Sequence, residues 1–185
     1  MTLVLDACVL YPTLMREMLL GAAGLGCFDP IWSPRILEEW ARAAARGGAV
    51  AEMQARGEIA LLRAAHPKAE RPEATALEAG LWLPDAADIH VLALAIAERA
   101  QAIVTLNARD FPRPLLAEHG LECQSPDALL LTCWQHRPQS IAALAAATVA
   151  RARAAAHLSD SLSQRQVLKK ARLPRLGKAL QRFAG

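Results

Sequence analysis

The four cysteines (Cys8, Cys27, Cys123 and Cys133) form no CxxC pair, and no histidine stands at zinc-finger spacing from them. A structural zinc site and a disulfide framework are therefore not expected, and the default setting is a reduced, cytoplasmic one. No apolar run approaches the roughly 20 residues of a membrane span, so no membrane association is expected. Met1–Leu5 is apolar, but no basic region precedes it and Asp6 interrupts it, so a signal peptide is not expected either. A GxGxxG loop and a P-loop are missing, which argues against the common dinucleotide- and nucleotide-binding folds. Acids are nearly missing from one end: residues 137–185 carry 10 Lys/Arg and one acid, Asp160. Aromatics are scarce there too, with Phe183 alone, so that stretch lacks the platforms on which nucleobases stack.

What the chain does have is a large apolar fraction. Its 185 residues are 54 % hydrophobic, enough to fill the core of one ordinary domain with a small appendage. The formal charge of +3 conceals an asymmetry, because residues 1–136 hold 11 Lys/Arg against 17 Asp/Glu. An acidic body (1–136, net −6) is thus joined to a basic, Ala-rich tail (137–185, net +9). Such a tail suits a polyanion or an acidic partner, and equally a solvated helical face.

Strand-like and helix-like segments alternate. Thr2–Leu5 and Ala102–Leu106 read as buried strands, Cys27–Trp32 as a further strand and Glu122–Cys123 as an edge strand. Helices are expected over Met15–Gly24, from the Ser33-Pro34 cap to Arg46, over 49–65, over Ala87–Arg99, over Leu115–His119 and from Ser125-Pro126 to Gln135. The Ala87–Arg99 helix would bury one face, with Val91, Leu92, Ala95 and Ile96. Thr75–Leu83 fits either a strand or an irregular segment. Pro138 reads as a linker, Ser140–Arg153 as a helix, and Leu158–Ala184 as basic helices interrupted at Pro174 and Gly177, with Ser159 or Ser161 as a cap. The alternation predicts an α/β sandwich with a mostly parallel sheet.

Four separate segments each offer a carboxylate near a predicted element end. Asp6 ends the first strand, Glu38 and Glu39 lie one turn into a helix, Asp85 and Asp88 open another, and Asp110 follows Asn107 in the loop after Ala102–Leu106. Ligands of open parallel sheets bind outside the carboxyl ends of the strands. Each acid also has a plain structural reading: Asp85 and Asp88 as helix-start acids, Glu38 and Glu39 as exposed helix acids, Asp110 as a turn residue. Asp6, set in a run of Val, Leu and Ala, needs a partner or an ion. Converging carboxylates repel, and a hard divalent cation such as Mg²⁺ or Mn²⁺ relieves that. The chemistry then expected is hydrolysis of a phosphodiester by metal-activated water.

These residues resemble a known family. Leu3-Val4-Leu5-Asp6-Ala7-Cys8-Val9-Leu10 resembles the first strand and acid of PIN domains. Ser33-Pro34-Arg35-Ile36-Leu37-Glu38-Glu39-Trp40 resembles the helix supplying their Glu, and Pro84-Asp85-Ala86-Ala87-Asp88-Ile89-His90-Val91-Leu92-Ala93 their central acidic helix. Ile103-Val104-Thr105-Leu106-Asn107-Ala108-Arg109-Asp110-Phe111-Pro112 is similar to the strand and loop with the last acid. The resemblance spans about residues 1–135, and within the family it is nearest to VapC-type toxins with an added C-terminal helical region. It implies a PIN-like α/β/α fold over 1–136 with a helical extension over 137–185. It implies a Mg²⁺- or Mn²⁺-dependent endoribonuclease, a hydrolase of RNA phosphodiesters, acting as the toxin of a type II toxin–antitoxin pair. The implied partners are an RNA substrate such as tRNA or another structured RNA, a cognate antitoxin and a second copy of the chain.

Carried over residue by residue, Asp6 and Asp88 would hold the main ion, and Asp110 would bind it directly or through water. Glu39 would orient or deprotonate the attacking water or hold a second ion; it matches better than Glu38, though the two could exchange. Asp85 is a further metal-site acid of this subgroup. Thr105 and Asn107 would position carboxylates or substrate, Arg109 would reach a phosphate or simply lie on the surface, and His90 is a helix residue near the acids. Many PIN domains have an acid where this chain has Asn107, which leaves one or two metals open. A haloacid-dehalogenase-type phosphatase wants an Asp at the position of Cys8. The rival reading is a catalytically inert PIN-like module that binds RNA or protein through the basic tail.

Overall fold

A computed structural model describes residues 1–156 and 162–183. In chain order the elements are β1 (Thr2–Leu5), α1 (Ala7–Leu10), α2 (Thr13–Gly24), β2 (Asp29–Ile31), α3 (Pro34–Ala45), α4 (Ala49–Ala65), α5 (Thr75–Glu78), α6 (Ile89–Ala97), β3 (Ala102–Val104), α7 (Arg113–Glu118), β4 (Glu122–Gln124), α8 (Pro126–His136), α9 (Pro138–Ala156), α10 (Gln164–Lys170) and α11 (Pro174–Phe183). The strands form one parallel sheet in the order β2-β1-β3-β4. Leu3, Val4, Leu5, Ile103 and Val104 are wholly buried, as strands covered on both faces require. The strand order reverses between β1 and β3, so the carboxyl ends of these two neighbours form the crevice where such sheets bind ligands. The fold is the expected α/β/α type with additional C-terminal helices.

The described chain divides into two compact units. One comprises Met1–Tyr11 and Phe28–Gln124; the other comprises Pro12–Cys27 and Ser125–Gly185. The first holds the sheet, with α6 against β1 and β3 and α3 against α1 and α4. The second is helical, with α8 and α9 packed on α2 and on each other, and α11 packed on α8 and α10. The change of charge at residue 137 therefore falls inside the second unit. Packing follows apolar helix faces: Gly21 of α2 lacks a Cβ where the Leu144 side chain of α9 sits.

Several expectations need correction. Residues His90–Ala95 of α6 are buried all round, not on one face; a helix that covers the middle of a sheet has no solvent side. Its first turn, Ala86–Asp88, is 3-10, and the helix stops at Ala97, where Arg99 turns to φ 50°. The undecided Thr75–Leu83 segment contains the short helix α5. Pro138 is not a linker but the first residue of α9, a position its fixed φ suits, so Arg137 alone separates α8 from α9. Gly177 does not interrupt α11. It lies buried within it, and an added Cβ would stand 3.3 Å from the Arg165 carbonyl and from Leu168 Cβ, so the missing side chain lets α10 and α11 approach. Ser159 and Ser161 lie outside the described residues; the α10 cap is Ser163, whose hydroxyl accepts the Gln166 N–H while the Gln166 side chain accepts the Ser163 N–H. No described helix is long and apolar enough to cross a membrane.

Candidate metal centre

Asp6 stands where β1 ends. Its N–H continues the sheet by donating to the Val104 carbonyl (3.2 Å), and its own carbonyl starts α1 by accepting from Val9 (3.1 Å). Its side chain does not cap that helix. Instead Oδ2 accepts from Thr105 Oγ1 (2.7 Å) and from Cys8 Sγ (3.0 Å). Because β1 and β3 are adjacent and parallel, Asp6 and Thr105 leave them side by side. Both are buried, so the carboxylate depends on these donors. The Thr105 hydroxyl gives its single hydrogen to Asp6 and accepts the Asn107 N–H at 3.0 Å, which ties the next loop to the same point.

That loop carries Asp110. Its N–H donates to the Asn107 carbonyl (3.1 Å), and its Oδ2 accepts from Asn107 Nδ2. The Asn107 side-chain oxygen accepts from Arg109 Nε (3.2 Å), while the rest of the Arg109 side chain is in solvent. Asn107 thus orients an acid and an arginine, and its carbonyl oxygen is already engaged. Asp85 does cap its turn, with Oδ1 accepting the Ala87 N–H at 2.9 Å. The reading of this residue as a helix-start acid therefore holds, and the cap uses one of its two carboxylate oxygens.

Ligand atoms of Asp85, Asp88 and Asp110 all lie within 4.8 Å of one another. Asp6 stands outside this triad, yet its charge is felt there. Asp88 is pushed up from 3.8 to about 6, first by burial, then by the charges of Asp6, Asp85, Asp110 and Glu39. Five carboxylates from four chain segments, Asp88 among them, therefore share this region. Glu39 faces this group from α3, with its Oε1 2.7 Å from Nε2 of buried His90 and 3.9 Å from Arg35 Nε. Glu38, one step round the helix, points elsewhere: Arg56 (3.0 Å) and Arg42 (3.5 Å) hold it and depress its pKa, the Arg56 hydrogen bond most. The donor set is all oxygen and strongly anionic, which fits a hard divalent cation, with Asp85, Asp88 and Asp110 nearest and Asp6 and Glu39 beside them.

Two contacts were not foreseen. His90 lies two residues after Asp88, and its approach to Glu39 shows only when α3 and α6 are placed. Cys8 was read as a departure from a phosphatase pattern, whereas it donates to Asp6, accepts the Leu106 N–H (3.2 Å) and is raised to about 12 by burial and by the Asp6 charge.

A family model described as PIN domain matches residues 2–109. PIN domains are generally nucleases and typically bind a divalent metal; of the acidic cluster here, Asp85 and Asp88 fall within the matched residues and Asp110 lies one residue beyond them. No curated protein and no solved structure matches the chain.

Proposed function

The chain belongs to the PIN-domain family, and on that premise we propose that it is a Mg²⁺- or Mn²⁺-dependent endoribonuclease, the toxin of a type II toxin–antitoxin pair. The observation that carries the reading is the convergence of Asp85, Asp88 and Asp110, with Asp6 and Glu39, at the carboxyl end of the two central strands. In this reading the site works in the cytoplasm, residues 1–136 supply the chemistry, a cognate antitoxin covers the acids, and the chain pairs with a second copy.

Asp85, Asp88 and Asp110 would hold the ion, with Asp6 completing the set. A divalent cation bound there supplies the positive charge that acidifies water and offsets charge on a phosphoryl oxygen. Thr105 fixes the Asp6 carboxylate through Oδ2 and Asn107 fixes Asp110, so neither acid swings on binding. Glu39, close to His90 and Arg35, is the carboxylate outside the triad that would accept a proton from the attacking water. Arg109, largely in solvent beside Asp110, would reach a substrate phosphate. In the basic stretch, Arg151 is paired to Glu17 (2.9 Å) and Phe183 packs edge-on against Trp134, whereas Lys169, Lys170, Arg172, Arg175, Lys178 and Arg182 are exposed. That face can track a phosphate backbone without reading bases.

The direct test incubates the purified chain, free of any antitoxin, with labelled total RNA or tRNA in Mg²⁺, Mn²⁺ or EDTA. Discrete cleavage that needs the metal and disappears in Asp6→Asn is expected. Metal-independent RNA binding with no cleavage, unchanged in Asp6→Asn, would replace the enzyme by an inert binding module. A finer test removes only the Thr105 hydroxyl. Thr105→Val should lower kcat/KM about 10–100-fold, the usual cost of losing a group that orients a metal ligand, while Thr105→Ser retains most activity. Equal activity in Val and Ser variants would deny Thr105 that role.

A further inference from the structure

We propose that Trp82 is a base-stacking platform for single-stranded nucleic acid entering the acidic centre, an inference that rests on the nuclease reading and adds a second recognition element to it. Trp82 is 66 % exposed, whereas Trp32 and Trp40 are almost wholly buried. Leaving so large an apolar side chain in water forgoes stabilisation that burial would provide, so its position calls for an explanation. The local chain supplies the mechanical part. Leu83 is buried and Leu81 half-buried, while Trp82 between them is turned outward.

The segment is also short and stiff. Pro84 follows Leu83, and Asp85 caps the turn that carries Asp88. Trp82 stands three positions before Asp85, so their Cα atoms are at most about 10 Å apart. The indole therefore stands within a nucleotide or two of any phosphate held at the acids.

Charge explains why a ring suits this place. Four carboxylates surround that of Asp88, and together they repel every phosphate except one neutralised at the centre. Neighbouring nucleotides are better held here by their base faces than by their backbone. An indole does this with little regard to sequence, and only for bases that are unstacked, which selects single strands, loops and bulges.

The test uses a short single-stranded oligoribonucleotide in Mg²⁺ with the Asp6→Asn protein, which leaves the probe uncut, and follows tryptophan fluorescence and Kd. Adding Trp82→Ala should weaken binding roughly 5- to 150-fold, the range of one stacked base. Trp82→Phe should recover most of that, with the melting temperature unchanged because the indole is exposed. An oligonucleotide with abasic sites beside the cleavage position should bind more weakly to the Trp82 protein yet lose nothing further with Trp82→Ala. Full affinity in Trp82→Ala, or an equal abasic penalty in both proteins, overturns the proposal. So does a Trp82→Ala protein whose RNA affinity is intact but whose sedimentation shifts to a smaller species, since the ring would then face a second copy. Metal-dependent cleavage by wild type with an inert Trp82 sinks this inference alone. Trp82-dependent binding without cleavage sinks the nuclease reading alone, and absence of RNA binding by wild type sinks the stacking role outright.

Discussion

Asp88→Asn is expected to raise the melting temperature of the metal-free protein near neutral pH while lowering metal-dependent cleavage by about 10²-fold or more. The reason is the same crowding of charge. Folding raises the Asp88 pKa from 3.8 to about 6, through burial first and four carboxylates next. The folded state thus binds a proton more tightly than the unfolded one. Between these pH values the folded chain carries more protons, so stability falls as pH rises through the window, and the full penalty is present above about 6. A shift of this size corresponds to about 3 kcal/mol without screening. Asp88 is half-buried, and solvent screening trims that to about 1 kcal/mol. In a chain of this size such a gain is about 2–4 °C. The difference should be clear in EDTA near neutral pH and vanish only about a unit below 3.8, where the carboxyl is protonated in both states.

Added Mn²⁺ should reverse the ranking. An ion that binds only the folded state stabilises it by about 2.7 kcal/mol at one hundred times its Kd. Wild type would gain this and Asp88→Asn would lose most of it. Thermal melts of both proteins in EDTA and in Mn²⁺, at two pH values, give the whole pattern. If Asp88→Asn melts lower than wild type in EDTA near neutral pH, the acids do not repel one another as described, and the case for a cation among them weakens.

The parts legible in the sequence were those set by neighbours along the chain. Leu3-Val4-Leu5 and Ile103-Val104 announce buried strands because no polar residue interrupts them, and Ser33-Pro34 announces a helix start that the hydroxyl indeed caps. Asp6, Asp85, Asp88 and Asp110 stood out because each follows a strand or opens a helix, whereas Glu39 lies within α3. What was not legible depends on which faces meet. Nothing in Glu38-Glu39 says which one turns to Arg56 and Arg42 and which to His90; one hundred degrees of helix rotation separates them. Nothing in residues 12–27 says that α2 belongs with α8 and α9 rather than with the sheet unit beside it in the chain, since that follows from Gly21 facing Leu144. Pro138 and Gly177 misled for a related reason. Each breaks a helix in the abstract, and each is tolerated where a first turn or a close helix crossing needs it.

Asp127 is the clearest case of a role invisible along the chain, and its removal should be the most destabilising single change within the helical unit. It reads as a first-turn acid of α8, yet its carboxylate is buried and reaches residues 48 and 49 positions away. Oδ2 accepts the Arg175 N–H (2.9 Å) and Oδ1 the Leu176 N–H (3.0 Å), so one side chain satisfies two of the open donors at the start of α11. Asp127→Ala leaves the Leu176 amide buried without a partner and removes a charge from a helix N-terminus, at a cost of about 2–4 kcal/mol. The expected fall in melting temperature is about 5–12 °C. Asp127→Asn keeps one acceptor oxygen and should lose about half as much. Hydrogen exchange should speed up first at Leu176–Leu180, whose apolar side chains α11 buries. The change also bears on the basic face, because Arg175, Lys178 and Arg182 ride on α11. Once α11 is loosened, the slope of log K against log salt for RNA binding should flatten, while kcat at saturating RNA stays near wild type because the acids lie in the other unit. A melting temperature unmoved by Asp127→Ala would mean that Leu176 and Leu180 hold α11 without the carboxylate. A flattened salt slope with unchanged kcat would separate the residues that cut from those that hold the backbone.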